Sequence, residues 1–248
     1  MKKCNLLSML GLLVCGCQPY QSYVDQIVVN DVPLYYACEG RGKPIILLHG
    51  NGGRHGKLET MQRQLAQAGY LVYALDSRGQ GDNEPLEEYH YKDMAADVKA
   101  FIEAKGLVKP AVFGWSDGGI IALELESFYP GTCSMLITSG ANITVENSMD
   151  PAMEDVIYGE DRENVTPLVK MMLEEPNLTA EDMARIQIPV LVCAGSEDII
   201  LYEHTHLITT LLPKGEEYIV QGHDHGSHIW HNRLMGEIIL DFLQKHDY

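Results

Sequence analysis

The apolar residues of this chain fall in short continuous runs rather than in alternation. Pro44 to Leu48, Tyr70 to Leu75, Ala111 to Trp115, Cys133 to Ser139, Pro189 to Ala194 and Glu216 to Val220 each read as a strand. A strand that is apolar at nearly every position is covered on both faces, as strands of a parallel sheet are. Helical periodicity separates them, from about Leu58 to Ala68 before Gly69, Tyr91 to Lys105, Gly118 to Tyr129 before Pro130, and Ile229 to Lys245 at the end. Tyr23 to Glu39 reads as two further strands joined at an Asn30-Asp31 turn. The pattern predicts an α/β fold, with a mostly parallel eight-stranded sheet and helices on both faces.

The rhythm breaks between Gly140 and Ile188. This stretch is polar, offers no strand, and is divided into short helical pieces by Pro151, Pro167 and Pro176. It predicts a small helical cap inserted over the sheet at residues 141–187, between core segments 23–140 and 188–248. Met149, Met153, Met171, Met172 and Met183 lie in it. Flexible thioether side chains suit either a pocket for an apolar ligand group or the interface between cap and sheet. The first four are the expected substrate-contacting methionines.

Charge narrows the range of partners. With 18 basic against 35 acidic residues and a formal net charge of −17, the chain lacks the clustered Lys and Arg that nucleic acid or anionic lipid would require. The first residues change the picture again. Lys2-Lys3 precede a short Leu-rich run, too brief to span a bilayer, which ends in Val14-Cys15-Gly16-Cys17. This ending resembles the lipobox of bacterial lipoproteins. It implies a signal at residues 1–16, lipid on Cys17, a tether over 17–22, and an exported protein held at the cell envelope by that anchor. Cys38, Cys133 and Cys193 would then remain, each single in an apolar run, with neither disulfide framework nor zinc spacing.

The chemistry concentrates in Gly114-Trp115-Ser116-Asp117-Gly118-Gly119. The segment fits G-x-S-x-G, follows a predicted strand and opens a predicted helix, which is the context in which that motif carries a nucleophile. A sharp strand-to-helix turn lifts the hydroxyl clear, and flanking glycines leave room for neighbouring chain. A serine hydroxyl needs a base oriented by a third group. Asp198 follows the strand ending at Ala194, and His225 follows the last strand, so nucleophile, acid and base arrive in the order this fold uses, each at a strand's carboxyl end. Glu197 competes with Asp198, and His223 competes with His225. Backbone N–H groups of Asp117 and of Asn51, in the Gly-rich loop after the third strand, are the expected oxyanion donors.

These motifs, with Asp76-Ser77-Arg78-Gly79-Gln80-Gly81, Gly195-x-x-Asp198 and His225-Gly226-Ser227, resemble the alpha/beta-hydrolase superfamily from about Val24 to the C-terminus. Gly-Trp-Ser-Asp-Gly-Gly is similar to the biphenyl hydrolase-like or valacyclovir hydrolase group, although the insertion departs from that group. The Gly-x-x-Asp pattern favours Asp198 over Glu197. The resemblance implies a serine hydrolase acting on a small ester or amide through an acyl-enzyme, with no metal or cofactor. Acyl transfer, carbon–carbon cleavage on the same residues, or binding without catalysis are the alternatives. His204, His206, His223, His225, His228 and His231 raise metal binding as a further reading, but His-x-His-x-x-His on a loop lacks a definite ligand set. Asp117 is expected near the pocket mouth, where a fixed anion beside the reacting carbonyl points to substrates carrying an alpha-ammonium.

Overall fold

The computed structural model describes residues 19–248. The expected signal and Cys17 lie outside the described residues. The elements run β1 (Gln21–Val29), β2 (Val32–Gly40), β3 (Pro44–Leu48), α1 (Glu59–Gln67), β4 (Leu71–Leu75), α2 (Tyr91–Ala104), β5 (Ala111–Trp115) and α3 (Asp117–Phe128). They continue with β6 (Met135–Ser139), α4 (Pro151–Tyr158), α5 (Pro167–Glu174), α6 (Ala180–Ala184), β7 (Val190–Glu197), α7 (Tyr202–Leu211), β8 (Gly215–Asp224) and α8 (Leu234–Lys245).

One sheet holds the strands in the order β1-β2-β4-β3-β5-β6-β7-β8. Only β1 and β2 run antiparallel to their neighbours; every other pair is parallel. Alternate side chains of each run enter opposite cores. Ile46 and Leu48 join Val112 and residues of α2 and α3 on one face, whereas Ile45 and Leu47 join Phe113 and residues of α1 and α8 on the other. Phe113 is fully buried, so its truncation to Ala would cost about 3–5 kcal/mol.

The order reverses at β3. The chain leaves it outward to β4, then crosses back to β5 on its other side. In open parallel sheets, ligands bind outside the carboxyl ends of the strands at such a reversal. The loops after β3 and β5, bearing Asn51 and Ser116, meet there.

Several elements differ from the sequence reading: β7 and β8 run on past their expected ends, to Glu197 and Asp224. Helix α7 occupies a stretch given no element, and α8 begins at Leu234 rather than Ile229, because residues 225–231 form turns. Within 141–187, Pro151 and Pro167 open helices: Asp150 and Thr166 cap α4 and α5 by accepting the N–H groups of Ala152 and Val169. Helix α6, by contrast, buries Met183 in the main core beside α3, whereas Met149 and Tyr158, at the start of the segment, pack with Ile200 in a separate cluster.

Candidate active site

Strand β5 ends in a sharp turn at Ser116. Ser116 has φ 54° and ψ −121°, a conformation costing a non-glycine residue about 1–3 kcal/mol. A Cβ on Gly114 would lie 2.0 Å from the Gly118 carbonyl oxygen, and one on Gly118 would lie 2.4 Å from that of Leu48. The glycines two residues either side of Ser116 therefore let β5 and α3 close onto β3.

The turn brings Ser116 Oγ within 3.0 Å of His225 Nε2, and His225 Nδ1 lies 2.6 Å from Asp198 Oδ1. A carboxylate accepts, so Nδ1 carries the proton and Nε2 turns its lone pair to the serine. Burial raises the pKa of Asp198. The His225 contact and the N–H groups of Ile200 and Gly195 outweigh this, holding the carboxyl below its ordinary value. The loop bearing His225 is pinned as well. Trp115 Nε1 donates to the His225 carbonyl at 2.7 Å, while buried His228 receives the Ser139 hydroxyl at 2.8 Å and donates to the Asp224 carbonyl. Of the rival residues, His223 bonds Ser227, and neither it nor Glu197 lies on the path from Ser116 to Asp198.

The Gly-rich loop after β3 is fixed by His49, which is fully buried and accepts the Ser77 N–H at Nε2 while donating from Nδ1 to the Gly50 carbonyl. Gly52 N–H donates to Gln80, which ties this loop to the turn after β4. That turn is held in its own right. Asp76 accepts from His55 and from the Asp82 N–H, and Arg78 grips Asp97 with two donors. His55, Asp76 and Asp82 could geometrically face one ion, but Asp82 also pairs with Arg54, so each has a structural partner already.

A cavity of about 330 Å³ opens onto Ser116 and His225. Asp117 lines it but is not at the mouth: it is 3% exposed, accepts from Asn51 Nδ2 at 2.9 Å, and interacts electrostatically with the Tyr91 hydroxyl. Burial pushes its carboxyl up to about 6. The Asn51 amide is thereby occupied, leaving its backbone N–H for the cavity. As the first residue of α3, Asp117 has an N–H without an intrahelical acceptor.

Of the four cap methionines, Met149 and Met172 line the cavity. Met171 and Met153 do not. Met171 turns into the main core, 3% exposed, and Met153 packs behind Met149, Tyr158 and Ile200. Tyr91, Tyr158, Glu175 and Trp230, which local sequence patterns do not single out, also line the cavity. Val169, Met172 and Glu175 are spaced by three residues, which is the signal that could have found the last of them.

A parallel sheet reversing at β3, with a serine, an imidazole and a carboxylate joined at its carboxyl ends, defines an alpha/beta hydrolase. Residues 43–179 match the alpha/beta hydrolase fold family, and the chain belongs to it. The human serine hydrolase BPHL (Homo sapiens) is 27% identical over 259 residues, covering 88% of this chain and 86% of that protein. The AB hydrolase superfamily protein YisY of Bacillus subtilis (strain 168) is 28% identical over 158 residues, 62% of this chain and 57% of YisY. Among solved structures, Est816, described as an N-acyl homoserine lactone degrading enzyme, superposes with a TM-score of 0.77 at 20% identity. That alignment covers 88% of this chain and all of Est816, and the likeness is one of fold.

Proposed function

We propose that this protein is a serine hydrolase that cleaves small carboxylic esters or amides through an acyl-enzyme. The observation that carries the reading is the unbroken hydrogen-bonded path from Ser116 through His225 to Asp198, with Ser116 and His225 lining a cavity. Ser116 Oγ attacks the carbonyl carbon and its proton passes to His225 Nε2. Asp198, kept ionised, balances the imidazolium. The N–H groups of Asp117 and Asn51 receive the tetrahedral oxyanion. His225 then returns the proton to the leaving alcohol or amine, and a water molecule, deprotonated by the same imidazole, releases the acid from Ser116. Reaction with a fluorophosphonate, followed by mass spectrometry, should place a single label on Ser116. A label elsewhere, or none, would remove the reading.

Asp117 narrows the substrate. A carboxylate buried beside the site of oxyanion formation is costly when ionised unless a cation joins it, so an alpha-ammonium on the substrate is the group it fits. The comparison is kcat/KM for an aminoacyl ester and its des-amino analogue, in the unmutated protein and in Asp117→Asn. An unchanged ratio would leave Asp117 as a helix-start residue only.

We also propose that the protein is held outside the cytoplasm by lipid on Cys17, a reading supported by the lipobox-like Val14-Cys15-Gly16-Cys17. Cys17→Ser should release it from the membrane fraction or block its processing. Unaltered fractionation would refute the anchor.

A further inference from the structure

Helix α5 turns three residues toward the cavity at a spacing of three: Val169, Met172 and, just past its last turn, Glu175. Two are apolar and the third is acidic. An acid is badly placed there, because a helix C-terminus carries the negative end of the backbone dipole and favours cations. Glu175 therefore does not serve the helix it follows. One of its oxygens contacts His90 Nδ1 at 2.6 Å and the other accepts the Tyr91 N–H at 3.0 Å. A carboxylate offers about four acceptor sites, so both oxygens keep room for a further donor.

Tyr91 stands between this group and the reacting end: its N–H donates to Glu175, and its hydroxyl interacts electrostatically with Asp117. The two carboxylates stand one tyrosine apart along the same cavity. Among the described residues lining it there is neither Lys nor Arg, and His90, half-buried, is not part of the lining. Near Glu175 lies Glu124, 5% exposed and with Oε2 unpartnered. Burial first, and the Glu175 charge second, push its carboxyl up to about 8, against an opposing contribution from Lys92. Glu124 is thus held largely neutral beside Glu175, and the acids that line the cavity are Asp117 and Glu175, the latter paired with His90 from outside the lining.

We propose that Glu175 receives a second positive charge on the substrate, at the end of an aliphatic stem lying along Val169 and Met172. This rests on the reading of Asp117 given above and extends it. The preferred acyl group is then a basic alpha-amino acid of the lysine type, with its alpha-ammonium at Asp117 and its side-chain ammonium at Glu175. An alkyl stem with a charged head fits a wall that is apolar along its length and acidic at its end.

Calorimetric binding to the Ser116→Ala protein tests this, using L-lysinamide and L-2-aminoheptanamide, in which a methyl group replaces the side-chain ammonium. L-lysinamide should bind at least about tenfold more tightly, and Glu175→Gln should bring the two affinities within about twofold. Equal or undetectable affinities overturn the proposal, as does a preference that survives Glu175→Gln. The first comparison needs no change at Glu175, so a misfolded variant cannot mask it. Turnover of p-nitrophenyl acetate by the unmutated protein judges the hydrolase reading separately. Turnover of this ester without a preference for L-lysinamide keeps that reading and overturns this one. A preference without turnover does the reverse.

Discussion

Gly140 faces the His225 imidazole so closely that a Cβ there would lie 2.7 Å from both Cε1 and Nδ1. It also holds φ +63°, where a side chain is strained. Gly140→Ala should therefore push the ring off the Ser116–Asp198 line while leaving the cavity walls in place. Steady-state kinetics on an aryl ester should show kcat lower by about 10²-fold with KM little changed. An undiminished kcat would mean that the ring position is not critical.

The two loop histidines should separate cleanly. His225→Ala removes the group between Ser116 and Asp198 and should lower kcat by about 10⁴-fold or more. His223→Ala removes a contact to Ser227 and should stay within about tenfold of the unmutated protein. The opposite ranking would transfer the role of base to His223.

Asp117 makes stability depend on pH. Its carboxyl rises from an ordinary 3.8 to about 6 on folding, so the neutral acid is the form the fold prefers. That contribution is fully present below about pH 4 and is lost as pH rises through about 6. The gap corresponds to about 3 kcal/mol. Urea unfolding should find Asp117→Asn more stable than the unmutated protein at pH 8 by about 2–3 kcal/mol, with little difference at pH 4. A difference independent of pH would rule out this ionisation as its cause.

His204 acts in the opposite sense. Burial lowers its imidazole from 6.5 to about 4, and its Nε2 accepts the Ile143 N–H at 3.0 Å, so the fold prefers it neutral. The stability this provides is present above pH 6.5 and is lost as pH falls through about 4. His204→Gln offers an amide oxygen to the same N–H without a charge to acquire. Between pH 7 and pH 4.5 the unmutated protein should lose about 2 kcal/mol more than this variant, by urea unfolding at each pH. Parallel losses would exonerate His204.

The inner strands β3, β4, β5 and β6 were legible because burial on both faces leaves hardly a polar position to blur them, whereas β1 and β2 had to be read from the Asn30-Asp31 turn between them. Helix α7 was not legible, since His204, Thr205, His206, Thr209 and Thr210 hide its period, and His204 and Thr205 are polar residues that nevertheless face inward. Ser116, Asp198 and His225 could be placed from local motifs at strand ends. Cavity walls required knowing which way α4 and α5 turn. Met171 and Met172 are neighbours on one helix and point about 100° apart, so adjacent methionines could not both meet a ligand. The depth of Asp117 was invisible for a related reason: Asn51 and Tyr91, which enclose it, come from elements distant in sequence.

The glycine pair at β5 fixes the reacting serine through the sheet, whereas the face bearing Val169, Met172 and Glu175 comes from an eight-residue helix outside it. The reacting serine, with Asp117 beside it, and the proposed contacts to the far end of the substrate thus lie on different parts of the fold. Rewriting those three α5 positions would retarget the enzyme without disturbing the strands that hold its nucleophile, which makes this helix the natural unit to randomise in a search for new substrates.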